Sequence, residues 1–196
     1  MEYNIEKLNN YLDNNCGYIT SKELKKLNIN YYYINKFIES GIIERVNVGL
    51  YKSTENILDD YYVLQQKYSY AIFSYNSAFF LLNLSERVPI NIDMTIPRTK
   101  KIRGHYNIHR ISDKYYNIGI TEVVDPMGNT VKIYNAERSI CDMIKTNGLI
   151  DLELQNRILN NYFNSESKNI DLLINYSKIF GIYDKINLLL EVMMKW

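Results

Sequence analysis

Little in this chain could brace it covalently or restrict its backbone: it has two cysteines, three prolines and eight glycines in 196 residues. Cys16 and Cys141 lie far apart without metal-ligand spacing, so neither a disulfide framework nor a zinc site is expected and reduced thiols are the default. No apolar run reaches membrane length and the N-terminus has no signal-peptide pattern, so the expectation is a soluble cytoplasmic protein with no membrane partner. Charge of one sign is missing too. The 23 Lys and Arg nearly balance the 22 Asp and Glu, which excludes a polycationic nucleic-acid coat. There is no P-loop and no G-x-G-x-x-G. The two histidines, His105 and His109, are four apart with no third ligand in view, and neither lies near a nucleophile in sequence. Cys141 falls on an apolar helix face, where a thiol is a poor nucleophile. Asp125 and Glu137 straddle a hairpin, but Arg138-Ser139 follows Glu137 and the E-x-K of a nuclease is absent. These absences argue for a non-enzyme with no cofactor and no metal, a nucleic-acid-processing enzyme standing as an alternative.

What is present begins with Tyr18 to Lys52. Thr20 and Glu23 form a T-x-x-E capping box that opens a short helix carrying Lys22, Lys25 and Lys26 outward and Leu24 and Leu27 inward. Asn28-Ile29-Asn30 is a tight turn. Asn30 caps a second helix, Tyr31 to Ser40, stopped by Gly41. Ile42 to Val46 and Leu50 to Lys52, joined through Asn47-Val48-Gly49, read as a hairpin. With a preceding helix over Ile5 to Asn14, the order is that of a winged helix-turn-helix. In the second helix, Tyr31, Ile34, Phe37 and Ile38 are assigned to the core. Tyr32, Asn35, Lys36 and Glu39 then face outward, with the side-chain types that hydrogen-bond base edges and phosphates. Over residues 1–55 seven Lys and Arg meet seven Asp and Glu, so a basic surface there requires segregation of charge, and non-specific DNA affinity should be modest.

Beyond a polar boundary at Ser53 to Asn56, the pattern predicts a helix over Ile57 to Tyr68 and a short strand over Tyr70 to Phe73. A buried helix over Ser74 to Leu82 and a strand over Asn91 to Ile96 follow, the latter ended by Pro97. Arg98 to Arg110 is the most basic stretch: Arg98, Lys100, Lys101, Arg103, His105, His109 and Arg110, with no acid among them. It reads either as an anion-binding surface or as a solvated edge hairpin guarded by lysines. Ile118 to Asp125 and Thr130 to Tyr134 form a hairpin. Asn135 caps a helix with Ile140, Cys141 and Ile144 inward, and Glu137, Arg138 and Asp142 make an ion-pair and capping cluster at its start. Helices over Leu152 to Phe163, Ile170 to Phe180 and Tyr183 to Met194 complete the chain, with Asp151 and Asn169 as starts and Gly181 as a stop.

Three blocks carry a resemblance: AIFSYNSAFFLLNLSERVPINIDMTIPR (Ala71 to Arg98), VKIYNAERSICDMIK (Val131 to Lys145) and KIFGIYDKINLLLEVM (Lys178 to Met193). In this order, behind a winged helix, they resemble the AbiEi antitoxins of bacterial abortive-infection (AbiE) systems, which are type IV toxin–antitoxin pairs. Tyr75 departs from the family, since relatives often carry His in the S-H-x-S-A-like block. The resemblance implies an N-terminal winged helix that represses its own operon at promoter inverted repeats. It also implies a second domain that counteracts a nucleotidyltransferase-like toxin without requiring a stable complex.

The expected fold is therefore α+β: a winged helix-turn-helix over residues 1–55, then a mixed α/β domain over residues 56–196 with a helical C-terminal end. The expected DNA contacts are Lys22, Lys25 and Lys26 on phosphates and Tyr32, Asn35 and Lys36 in the major groove. Arg45, Asn47 and Lys52 are expected in the wing. Arg98, Lys100, Lys101, Arg103, His105 and Arg110 are a second surface for an anionic partner. The alternative is a winged helix that binds protein and not DNA.

Overall fold

The computed structural model describes residues 2–146 and 148–193. The chain is mixed α and β and divides into two compact units, one formed by residues 1–69 with 124–131 and the other by residues 70–123 with 132–196.

In the first unit, α1 (Glu2–Asp13) presents Leu8 and Leu12 to the core, one helical turn apart, with Ile5 and Tyr11 beside them. Cys16 and Gly17 both take positive φ, and a side chain on Gly17 would run into Asn56, so the tight reversal needs glycine there. Next come β1 (Tyr18–Thr20), α2 (Ser21–Lys26), α3 (Tyr31–Glu39), β2 (Ile43–Asn47) and β3 (Leu50–Ser53). The strand β1 is three residues long and was not expected. It pairs antiparallel with β3, which pairs antiparallel with β2, giving the order β1-β3-β2 with a bulge in β2 between Arg45 and Asn47. Leu24, Ile29, Ile34, Phe37, Ile43 and Tyr51 close the core over Leu8, Leu12 and Ile19. The unit continues past Glu55. In α4 (Asp60–Lys67) Tyr62 packs its ring 4.9 Å from that of Tyr18, and the N-cap residue Asp59 donates its backbone N–H to the Tyr18 hydroxyl at 2.7 Å.

The second unit contains β4 (Ile72–Phe73), α5 (Tyr75–Leu81), β5 (Asp93–Pro97), β6 (Asn107–Ile111) and α6 (Asp113–Tyr116), followed by the greater parts of β7 (Ile120–Val124) and β8 (Thr130–Tyr134). Four helices follow: α7 (Ala136–Thr146), α8 (Leu152–Asn164), α9 (Ile170–Phe180) and α10 (Tyr183–Met193). Met194, assigned to the last helix from sequence, lies outside the described residues. The sheet order is β6-β5-β4-β8-β7. An edge hairpin was one reading of the basic stretch, but β6 lies at the sheet edge parallel to β5, with Asp93 opposite Asn107, so residues 98–106 form a return loop and not a hairpin turn. Phe79, Ile140, Cys141, Ile158, Tyr162, Leu173 and Ile186 make the core of α5 and the C-terminal helices. Glu137, Arg138 and Asp142, all buried, build the structure of this core. Arg138 Nε donates to Asp142 at 2.9 Å, its Nη1 donates to the Tyr115 and Ile118 carbonyls, and Glu137 accepts from the Tyr162 hydroxyl and the Asn169 amide.

Candidate nucleic-acid interface

Local chemistry fixes where α2 and α3 begin. Thr20 Oγ1 accepts from Glu23 N at 3.3 Å while Thr20 N donates to Glu23 Oε2 at 2.7 Å, so each residue satisfies the other's free backbone donor. Asn30 Oδ1 accepts from Tyr33 N at 3.3 Å and opens α3. Ser21 N also donates to the Gly49 carbonyl at 2.8 Å, which ties the β2–β3 turn to the start of α2. Lys22, Lys25 and Lys26 are exposed on α2, Arg45 is exposed on β2, and none of the four makes an ion pair among the described residues.

On α3 the core arc is centred on Ile34 and Phe37, with Tyr33 packed against it. That centre corrects the sequence assignment of two residues. At 100° per residue, Tyr31 and Ile38 fall on one edge of this arc, about 60° and 40° from Ile34, and they are 70% and 37% exposed. Tyr32 is 63% exposed. Asn35 is half-buried, and its amide has no hydrogen-bond partner among the described residues. Lys36 is less available: its Nζ bonds Glu39 Oε2 at 3.1 Å and lies 6.0 Å from the Tyr32 ring centroid, and the Glu39 contact raises its pKa.

The wing residues divide the same way. Asn47 Oδ1 accepts from Val48 N at 2.8 Å and Arg45 Nε donates to the Asn47 carbonyl at 3.3 Å, so Asn47 shapes the turn, while Val48 at its tip is 85% exposed. Lys52 does not belong with them. It is 5% exposed, paired with Glu44 at 2.8 Å and donating to the Ser53 and Asn56 carbonyls. Alternation along β3 turns its side chain toward the chain's own carbonyls, and it cannot reach a partner. An open recess of about 630 Å³ lies between the helices and the wing, with Lys25, Tyr31, Ile34, Arg45 and Val48 in its walls. Sequence reading missed Tyr31 and Val48. The signal for Tyr31 was its place directly after the Asn30 cap, in the first turn of the helix.

In the second unit, Arg98, Lys100, Lys101, Arg103, His105 and Arg110 are all exposed. The loop that carries them is fastened by Arg98 N donating to the Ile111 carbonyl and by the Tyr70 hydroxyl donating to the Lys101 carbonyl at 2.8 Å. His109 is not part of this surface: its Nε2 lies 2.8 Å from Asp93 Oδ1 and its ring stacks 4.0 Å from that of Tyr75. Elsewhere, burial pushes the Cys141 thiol up to about 12, which leaves it unionised. Among the described residues no cluster of three or more His, Cys, Asp or Glu is arranged to hold a metal ion, and no helix is long and apolar enough to cross a membrane.

The family whose model matches is described as "Transcriptional regulator, AbiEi antitoxin", and the match covers residues 6–53, about a quarter of the chain. Over that span the chain is similar to the AbiEi antitoxin family. A search of curated proteins gives no match.

Proposed function

We propose that the first unit is a winged helix-turn-helix that binds duplex DNA, and that the protein is an antitoxin repressing its own operon at promoter inverted repeats. In this reading α3 enters the major groove and the β2–β3 wing lies on the flanking backbone. Lys22, Lys25, Lys26 and Arg45 contact phosphates, and Tyr32 and Asn35 contact base edges. Lys36 contributes only when Glu39 releases it. The exposed basic residues of the return loop, with Arg110 on β6, add phosphate contacts from the second unit. The observation that carries this reading is the free face of α3, whose Asn35 amide is unpartnered while four unpaired cations stand on the neighbouring elements. The family match supports the antitoxin role. The toxin counteracted in this reading is nucleotidyltransferase-like, and no stable complex with it is required.

The test is a footprint and gel shift of the full chain on the DNA upstream of its own reading frame. Replacing Lys25, Lys26 and Arg45 together by alanine should remove about three phosphate contacts and flatten the slope of log K against log salt by about 2.7, at roughly 0.9 per contact. An unchanged slope would end the assignment of these residues. If the wild-type chain bound no fragment yet retained the toxin in a pull-down, the protein-binding alternative would replace it. The exposed Tyr31 and Val48 keep that second reading alive.

A further inference from the structure

The face offered by α3 is more specific than its charge. The first unit carries as many acids as bases over residues 1–55, and the one cation on α3, Lys36, is neutralised by Glu39 at 3.1 Å. Non-specific attraction there is weak, and discrimination has to come from groups that recognise base edges. Three exposed or half-exposed residues, Tyr31, Asn35 and Ile38, are spaced i, i+4, i+7 and form one stripe along the helix. At 1.5 Å rise per residue the stripe spans about 10 Å, close to three base-pair steps of about 3.4 Å. It is apolar at its ends and carries an unpartnered amide at its centre.

We infer, resting on the DNA-binding reading above, that this stripe reads an A·T-rich half-site, with Tyr31 and Ile38 packed on thymine methyl groups and the Asn35 amide bonded to an adenine. The major-groove edge of A·T is the one edge that offers both an apolar methyl and the N6–N7 donor–acceptor pair that an Asn amide matches bidentately. A G·C edge offers no methyl, and its O6 and N7 acceptors call for Arg or freed Lys, neither of which stands on the stripe. The occupant is duplex DNA and not an apolar protein surface because Lys25 on α2 and Arg45 on β2, both exposed and without an ion pair among the described residues, line the same recess as Tyr31. Such cations complement phosphates on both sides of a groove.

The experiment compares two versions of the upstream DNA fragment, one with thymine and one with every thymine replaced by deoxyuridine, which removes the methyl and leaves base pairing intact. The full chain and its Tyr31→Ala and Asn35→Ala variants are titrated against both. Each lost methyl contact should weaken binding about fourfold, the factor one buried CH₂ contributes. Tyr31→Ala should weaken binding to thymine DNA and have no further effect on deoxyuridine DNA, because both changes remove the same contact. Asn35→Ala should weaken binding to both. Equal affinity of the wild-type chain for the two fragments, or an equal loss on both from Tyr31→Ala, would overturn the inference and leave DNA binding standing. Failure of the wild-type chain to bind either fragment would sink the DNA-binding reading itself. Tyr31 is 70% exposed, so its removal leaves the core intact.

Discussion

Asp125 is a buried carboxyl that should make the stability of the first unit depend on pH. Asp125 and Asp59 are both buried, and Asp125 Oδ1 accepts from the amides of Met127 and Asn129 at 2.9 and 3.0 Å. Asp59 accepts from Tyr62 N and from Asn129 Nδ2, and Tyr18 and Asp60 also lie close to it. As a bare carboxylate, Asp125 has no donor facing its Oδ2 among the described residues, whereas a proton there can be donated to Asp59. Burial, and then Asp59, push the Asp125 pKa up from 3.8 to about 7. Between those values the folded chain keeps a proton that the unfolded chain has lost, so stability falls as pH rises through this window and levels off above it. Thermal melts should therefore show a lower Tm at pH 8 than at pH 5, by on the order of 5 °C. Asp125→Asn, which gives Asp59 a permanent donor, should flatten that dependence; a variant with the wild-type slope would show the proton resides elsewhere. Lys52 gives a second test at this scale. Because its ammonium is spent on Glu44 and two carbonyls, Lys52→Ala should lower stability by about 1–3 kcal/mol in urea denaturation. Its DNA affinity should remain within about twofold of wild type, a shift that amounts to less than one phosphate contact.

At the scale of elements, what could be foreseen was whatever short-range rules control. The Thr20–Glu23 box, the Asn30, Asn135, Asp151 and Asn169 caps and the Gly181 stop all make the bonds their neighbours in sequence dictate. What could not be foreseen depended on distant partners. β1 is three residues long and exists because Tyr18–Thr20 finds β3 thirty residues later. The parallel seat of β6 beside β5 is a sheet-level choice that a turn-like loop does not encode. Tyr31 was misassigned because four residues at i, i+3, i+6 and i+7 cover more of the helix than the core accepts, and packing on Ile34 and Phe37 settled which arc was buried. The Lys36–Glu39 pair leaves the α3 surface partly self-neutralised. Glu39→Gln removes the 3.1 Å partner of Lys36 and one negative charge facing phosphate, so DNA affinity at low salt should rise severalfold, with the salt slope steeper by up to about 0.9. Unchanged affinity and slope would mean that Lys36 stays off the DNA even when released.

For the whole molecule the question is where its positive charge acts. The net charge is +1, yet five of the 23 Lys and Arg fall within residues 98–110 with no acid among them. Under the DNA-binding proposal, a chain that is neutral overall and holds such a run would bind phosphate at two places, the α2–wing surface and this basic stretch. The discontinuous first unit, which borrows residues 124–131, was invisible in sequence because a segment's allegiance is a property of packing. It also means that truncation after Glu55 would sever α4 and the Asp125 turn, so charge substitution in the full chain is the sounder test. If the first unit alone grips DNA, Lys22, Lys25, Lys26 and Arg45 set an upper limit near −3.6 per protomer on the salt slope. With the loop engaged, the slope should be steeper than that limit. Replacing Arg98, Lys100 and Lys101 by alanine should then flatten it by about 2.7 without altering which bases are protected, because phosphate contacts position the protein and carry no sequence information. A wild-type slope no steeper than about −3.6 would reserve the loop for some other anionic partner, and the same triple variant, scored for protection of cells expressing the toxin, would show whether that partner lies on the antitoxin side of the function.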